Sequence, residues 1–398
     1  MTASPLQLDP DYIANTLIPN YNSVAFATED GKDSSVFTKF SYAGGNSTYS
    51  FGLYQYDVGK NPDAKEFLSS IGFSANQISQ LSQSGTLTDA QHTALNTQLS
   101  TALQDPENAA KLQEFNSSWA EGLVTQLQDV LDIVYQDNPS VAEQIYQSPA
   151  MQLQLLDYAN QFHLDTDGTI ETWLSGQPAE ESGGTFQIEA GTQITSDDIQ
   201  DVVMGTLYAV NNPARETTRE NALDLSLNSM PLSASITDVS AAFNGSLSSA
   251  NLVIDSGVQT VVAGSNDVFS MGDGSSVNAA GSANSFTCGT NTVASVNGTE
   301  SASCSSGNLS LAGDGVTGSL SSNSTMSISG SNNNFNLGDG SSISIASTGS
   351  NSVTCGQQTV AMTGNSSTTC SNGNLSVSDA STNSNIDVSG SGAAVTAS

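Results

Sequence analysis

The chain has few basic residues: seven Lys plus Arg stand against 39 Asp plus Glu in 398 residues, a formal charge of −32 at pH 7. The seven (Lys32, Lys39, Lys60, Lys65, Lys111, Arg215 and Arg219) all precede position 220. A field of that sign repels phosphate backbones and anionic membrane surfaces, which excludes nucleic acid and membranes as partners. It also gives no attraction to anionic cell walls, and suits a cationic polymer such as chitosan better. No apolar run approaches the ~20 residues of a membrane span. The opening MTASPLQLDPDYIANTL has neither a basic n-region nor an apolar h-region, so no conventional signal peptide is expected. Histidine is limited to His92 and His163, and no H-E-x-x-H or Cys/His cluster is present. No metal site and no cofactor is expected. G-x-S-x-G, P-loop and dinucleotide fingerprints are also missing. His163-Leu-Asp165-Thr-Asp167-Gly168 echoes a calcium loop, but His163 and Leu174 fall where its first and last ligands belong, so it reads as a plain turn.

Cysteine is absent until Cys288, followed by Cys304, Cys355 and Cys370. Lys, Arg, Trp and Tyr disappear after residue 229, where Gly, Ser, Asn and Thr alternate with Val, Ile, Leu and Phe. These shifts divide the chain into a helical part, 1–228, and an all-β repeat, 229–398. In the second part S-N-D-V-F-S-M-G-D-G-S-S from Ser265 recurs as S-N-N-N-F-N-L-G-D-G-S-S from Ser331, an offset of 66 residues. Short alternating strands with frequent turn residues predict a β-solenoid or similar stacked array. Coils of about 22 residues would divide the repeat into three. Gly272-Asp273-Gly274, Gly313-Asp314-Gly315 and Gly338-Asp339-Gly340 lack a nine-residue calcium-binding period and read as tight turns. The cysteine placement predicts disulfides Cys288–Cys304 and Cys355–Cys370, hence an oxidising, extracellular destination reached without a cleaved leader.

The first part is helical in pattern with one extended interruption. A helix from Asp9-Pro10 is expected to stop at Pro19, and a second to run from Asn22 to Asp30 with Gly31 as its stop. V-F-T-K-F-S-Y, A-G-G-N-S and T-Y-S-F-G-L-Y-Q-Y-D then read as a β-hairpin. Helices follow from Pro62, Ser74, Thr88 (capping-box spacing), Asp105 to Gln136, Pro149, Thr169, Ser196 and Pro213. Leu123, Leu127, Val130, Leu131 and Val134 share one face of the longest.

The stretch from Glu29 to Asp57 carries the chemistry. Glu29 falls in the last turn of a helix, where the dipole disfavours negative charge, as suits a carboxyl that must hold a proton. Asp57 ends a strand rich in the aromatics and amides that line sugar grooves: Tyr49, Phe51, Tyr54, Gln55 and Tyr56. Two carboxylates across such a groove can cleave a glycosidic bond. Strict alternation would place Tyr54 and Tyr56 on one face of the strand and Gln55 and Asp57 on the other.

The order of a helix ending in Glu29, a hairpin bearing Q-Y-D-V-G (Gln55 to Gly59) and a helical bundle resembles the lysozyme-like superfamily, in particular the phage-lysozyme and pesticin-type muramidases. Gly72 to Gln91 and L-L-D-Y-A-N-Q-F (Leu155 to Phe162) are similar to later helices of that fold. The resemblance implies an α+β, mainly helical lysozyme-like domain that cleaves peptidoglycan or a related aminosugar glycan. It implies Glu29 as acid, Asp57 as stabiliser of the positive centre, and Ser50 or Thr48 as the supporting hydroxyl. Tyr54, Gln55, Tyr56, Asn160 and Gln161 are the implied glycan contacts. Two other readings are a chitosanase-like hydrolase and a non-enzymatic surface or adhesion protein with a degenerate lysozyme-like head. The repeat would serve targeting or assembly.

Overall fold

The computed structural model describes residues 4–397 apart from 30–32, 43, 45–46, 86, 190, 231–234, 246, 298–300, 313, 321–324, 330, 339–341, 347–351, 356–358, 364–366, 371–373, 378–384 and 389–393, and no side chain at 34, 245, 291, 296–297, 301–312, 320, 328–329, 342–343, 345–346 or beyond 354. The chain forms two compact units: Pro10–Ser233, and Met1–Asp9 together with Ala234–Ser398. The first residues therefore belong with the repeat and not with the helices. Strand β1 (Leu6–Leu8) buries Leu6 and Leu8 and pairs antiparallel with β7 (Ile236–Val239).

In the helical unit the first helix does not stop at Pro19. It runs as α1 (Pro10–Tyr12), a π-turn (Ile13–Leu17) and α2 (Ile18–Thr28). Within the widened turn Ile18 N–H reaches Ile13 O, and Pro19, which has no N–H to donate, follows directly. The expected stop at Gly31 lies outside the described residues.

The expected hairpin is a three-stranded antiparallel sheet, β2 (Ser41–Tyr42), β3 (Tyr49–Phe51) and β4 (Tyr56–Asp57). Gly52 at φ +78° and Gln55 at φ +49° turn the chain between β3 and β4. Residues 54–57 are thus not one strand, and the strict face alternation predicted for them does not apply.

Helices α3 (Pro62–Ser70), α4 (Ala75–Leu81) and α5 (Asp89–Ala102) start at the side-chain caps Asn61, Ser74 and Thr88. Ser74 and Thr88 each form a reciprocal capping box, with Gln77 and Gln91. The 32-residue α6 (Pro106–Asp137) ties two cores together. Its first half sets Phe115 against Tyr56 and Phe67, with ring centroids 4.3 and 5.5 Å away. Its second half buries Leu123, Val124, Leu127, Val130, Leu131 and Val134 against α7 (Pro139–Gln147) and α8 (Pro149–Phe162). Full burial of each such side chain contributes about 2 kcal/mol. Helix α8 is central, with Met151 to Asp157 and Ala159 all buried. After it come α9 (Thr169–Leu174), the hairpin β5 (Ala179–Glu181) and β6 (Gly184–Phe186), α10 (Ser196–Gly205), α11 (Leu207–Asn211) and α12 (Pro213–Ser229), which packs on α2. No described helix is long and apolar enough to cross a membrane.

The second unit is a β-solenoid with two parallel strands per coil. Strands β7 and β8 (Phe243–Gly245), β9 (Asn251–Ile254) and β10 (Gln259–Ala263), and β11 (Val268–Met271) and β12 (Ser276–Ala280) stack in order. Val268, Ser285, Ser301, Thr317 and Asn334 follow one another in register. Four shorter coils, not three of about 22 residues, therefore fill the repeat.

Leu252, Ile254, Phe269, Met271, Phe286 and Leu337 point inward, and Phe269 stacks on Phe286 with centroids 4.7 Å apart. Corners are stitched by side chains one coil on: Ala250 N–H donates to Asp267 Oδ1 (3.0 Å), Asp267 N–H to Asn284 Oδ1 (2.9 Å) and Val316 N–H to Asn333 Oδ1 (2.7 Å), each 17 residues apart. The first two G-D-G turns carry Gly274 and Gly315 at φ +71° and +76°, and Asp273 and Asp314 accept N–H bonds from Thr290 and Ser331. Asp339 and Gly340 of the third lie outside the described residues. Cys288 stands in register with Cys304, and Cys355 with Cys370. The side chains of Cys304, Cys355 and Cys370 lie outside the described residues.

Candidate active site

Glu29 follows directly on α2 as its C-cap, with its N–H bonded to Ala25 O at 2.9 Å. Its carboxylate is held by two groups from distant helices. Arg219 Nη2 of α12 lies 2.8 Å from Oε1, and Asn160 Nδ2 of α8 donates to the same oxygen at 2.9 Å. Asn160 Oδ1 in turn accepts from Trp119 Nε1–H of α6 at 2.9 Å, so the amide presents its N–H₂ to the carboxylate. Among the described residues nothing donates to Glu29 Oε2, and the side chain is 16% exposed.

Arg219 also grips Asp157 of α8 as a fork: Nε donates to Oδ2 at 3.1 Å and Nη2 to Oδ1 at 2.9 Å. Thr28 Oγ1 adds a bond to Asp157 Oδ1 at 3.2 Å. Burial opposes the Arg219 charge, yet Asp157 and Glu29 outweigh it and hold its proton more tightly than usual. Burial pushes Asp157 upward, and the Arg219 charge pulls it back. Two carboxylates share one guanidinium, so the cluster is one cation short. Glu29 is its more exposed acid.

Two further carboxylates flank Arg219 on α12. Glu216 Oε2 accepts from Gln161 at 3.0 Å, and Glu220 Oε2 from Gln154 and Gln200 at 3.1 and 3.2 Å. Burial raises Glu216 from its ordinary value, against the pull of Gln161 and Arg219, and pushes Glu220 up to about 7.

Asp57 forms a separate cluster in the small sheet. Its carboxylate accepts from Thr48 N–H (2.9 Å), the Thr48 hydroxyl, Gly59 N–H (2.9 Å) and Lys60 N–H (3.2 Å). A side chain at Gly59 would collide with Thr48, so the glycine of Q-Y-D-V-G is what lets this turn close. Ser50 sits across the ladder from Asp57 but donates to Gln55 Oε1 at 3.0 Å. Thr48 is the hydroxyl on the carboxylate. No hydrogen bond joins Glu29 to Asp57 among the described residues.

The predicted glycan contacts separate into three kinds. Tyr54 and Tyr56 are only 3% and 2% exposed, so the open-groove role expected of them is corrected to a buried one. Tyr54 stacks on Tyr21 at 5.6 Å and donates to Asn22 Oδ1, while Tyr56 donates to Asn116 Oδ1 at 2.8 Å. Together they pin the sheet to α2 and α6. Gln55 braces its own turn, its Nε2 donating to Gly52 O at 3.0 Å. Asn160 touches Glu29, whereas Gln161 bonds Glu216.

Arg219, Asp157, Glu216 and Glu220 were not among the residues expected from sequence. The available signal was Arg219 itself, one of two arginines in a chain this acidic. The chain matches no family model, no curated protein and no solved structure.

Proposed function

We propose that the helical unit is a lysozyme-like glycoside hydrolase that uses Glu29 as its acid. The observation that carries this reading is the asymmetric seating of Glu29, with Oε1 fixed by Arg219 and Asn160 and Oε2 without a donor among the described residues, at the end of a helix. A proton on Oε2 would pass to the glycosidic oxygen as its bond to the anomeric carbon breaks; water would then bond to the oxocarbenium-like carbon and return one proton to the Glu29 carboxylate. Arg219 and Asp157 keep the carboxyl in place through the cycle. The charge of Asp57 supports the developing cation, with Thr48 in the hydroxyl role for which Ser50 was also a candidate.

The substrate class is an aminosugar glycan, peptidoglycan or a chitosan-like polymer. The solenoid serves delivery or assembly outside the cell, and Cys288–Cys304 and Cys355–Cys370 are the cross-links that its register favours. A second reading, a non-enzymatic binding head, draws on the saturation of Asp57 by donors of its own sheet.

Incubating the full-length protein with purified peptidoglycan and with soluble chitosan, and assaying reducing ends, tests the proposal. Release from either is expected. Binding to both without release would leave the non-enzymatic head.

A further inference from the structure

Helix α3 and the first half of α6 border a cleft of about 660 Å³, within the usual size range of small-ligand sites. It is lined by the half-buried rings of Phe115 and Trp119 and by the exposed carboxylates of Asp63, Glu66 and Glu114. Lys111 also lines it, but its ammonium is paired with Glu107 at 3.0 Å, and His163 adds at most one further positive charge. The cleft is therefore net negative above an aromatic surface. The indole N–H of Trp119 is committed to Asn160, so the ring offers the cleft π surface and no donor.

We propose that this cleft binds a cationic aminosugar unit, a glucosamine-type ring with a free ammonium group. The apolar C–H face of such a ring suits an indole, its ammonium is attracted to both the π face and the carboxylates, and Ser70, Ser118 and Gln126 can meet its hydroxyls. The chain-wide negative field draws in a polymer of that charge. Binding here is separate from cleavage at Glu29, although Trp119 and Asn160 connect the two sites by two hydrogen bonds.

The test uses full-length Glu29→Gln protein, so that nothing is hydrolysed, titrated with a glucosamine oligomer, an N-acetylglucosamine oligomer of equal length and oligolysine. Tryptophan fluorescence is the readout. Trp173 is buried in the bundle, so a change reports Trp119. The glucosamine oligomer is expected to shift the emission, with affinity falling as salt rises and about tenfold with Glu66→Gln plus Glu114→Gln. Both side chains are exposed, and an unchanged melting curve confirms that the double variant is folded. No emission change, equal affinity for the N-acetylated oligomer or for oligolysine, or indifference to the two substitutions would overturn the proposal.

Discussion

The two units bury polar side chains in opposite ways. In the solenoid, Asn284, Asn333, Ser275 and Thr292 bond to backbone groups of their own or the neighbouring coil, so their polarity holds the stack together. In the helical unit, Arg219, Asp157, Glu216 and Glu220 are enclosed with one another and with glutamines from two helices, α8 and α10. Stitching of the solenoid kind commits those side-chain oxygens to the backbone. A buried charge cluster that is one cation short, with one carboxyl oxygen open, is costly for a fold and useful for a reaction. Function is expected where the charge is enclosed.

Breaking the cluster should have the largest effect. Arg219→Met leaves Asp157 buried without its cation and is expected to cost about 3–5 kcal/mol, read as an early unfolding transition of the helices in denaturant. The solenoid transition should stay in place.

Next is pH. Glu220 is held at about 7 in the folded protein against an ordinary 4.5. Its folded-state value is raised, so the folded state binds the extra proton, and stability present below pH 4.5 is lost as pH rises through 7. The loss should reach about 3 kcal/mol above neutrality, and Glu220→Gln should abolish it. Thermal melts of both proteins between pH 5 and 8 check this; a wild-type melting temperature that is flat with pH would contradict it.

The solenoid offers its own exception. Asp267 occupies a corner position where the coils at Asn284 and Asn333 have an amide, and its Oδ2 has no partner among the described residues. Burial raises it to about 6, so it too weakens the fold as pH rises through that value. Asp267→Asn supplies a donor like that of Asn284, whose Nδ2 reaches Gly264 O at 3.3 Å. It should stabilise the solenoid by about 2 kcal/mol at pH 8 and have little effect at pH 4. A smaller effect is expected at a helix cap: Thr88→Ala removes a capping box and should cost about 1 kcal/mol, confined to the helical unit.

How much of this was legible followed the same divide. Inward Leu, Ile, Phe and Met against outward Ser, Thr and Asn is a local alternation, so a stacked β array was visible in the sequence. The coil length was not, because the repeat can be divided by three or four and only pairing register decides. The long helix α6 showed its apolar stripe. Helix α12 did not: its buried positions are Glu216, Glu220, Leu223 and Ser226, a helical stripe occupied mostly by polar residues. Apolar periodicity is blind to a face that is buried through charge pairing, so Arg219, which pairs with Glu29, was not legible, whereas Asn160, the other partner of Glu29, was among the expected residues. The π-turn before Pro19 and the turn at Gln55 were missed for a related reason. Both are backbone conformations that residue type alone disfavours.

The central claim, that Glu29 is the working acid, is tested most directly on full-length protein by assaying reducing ends released from peptidoglycan and chitosan by wild type and Glu29→Gln side by side. The account predicts release by the wild type and a fall of at least about a hundredfold in the variant, with both proteins melting as folded species. Equal release by the two would contradict it.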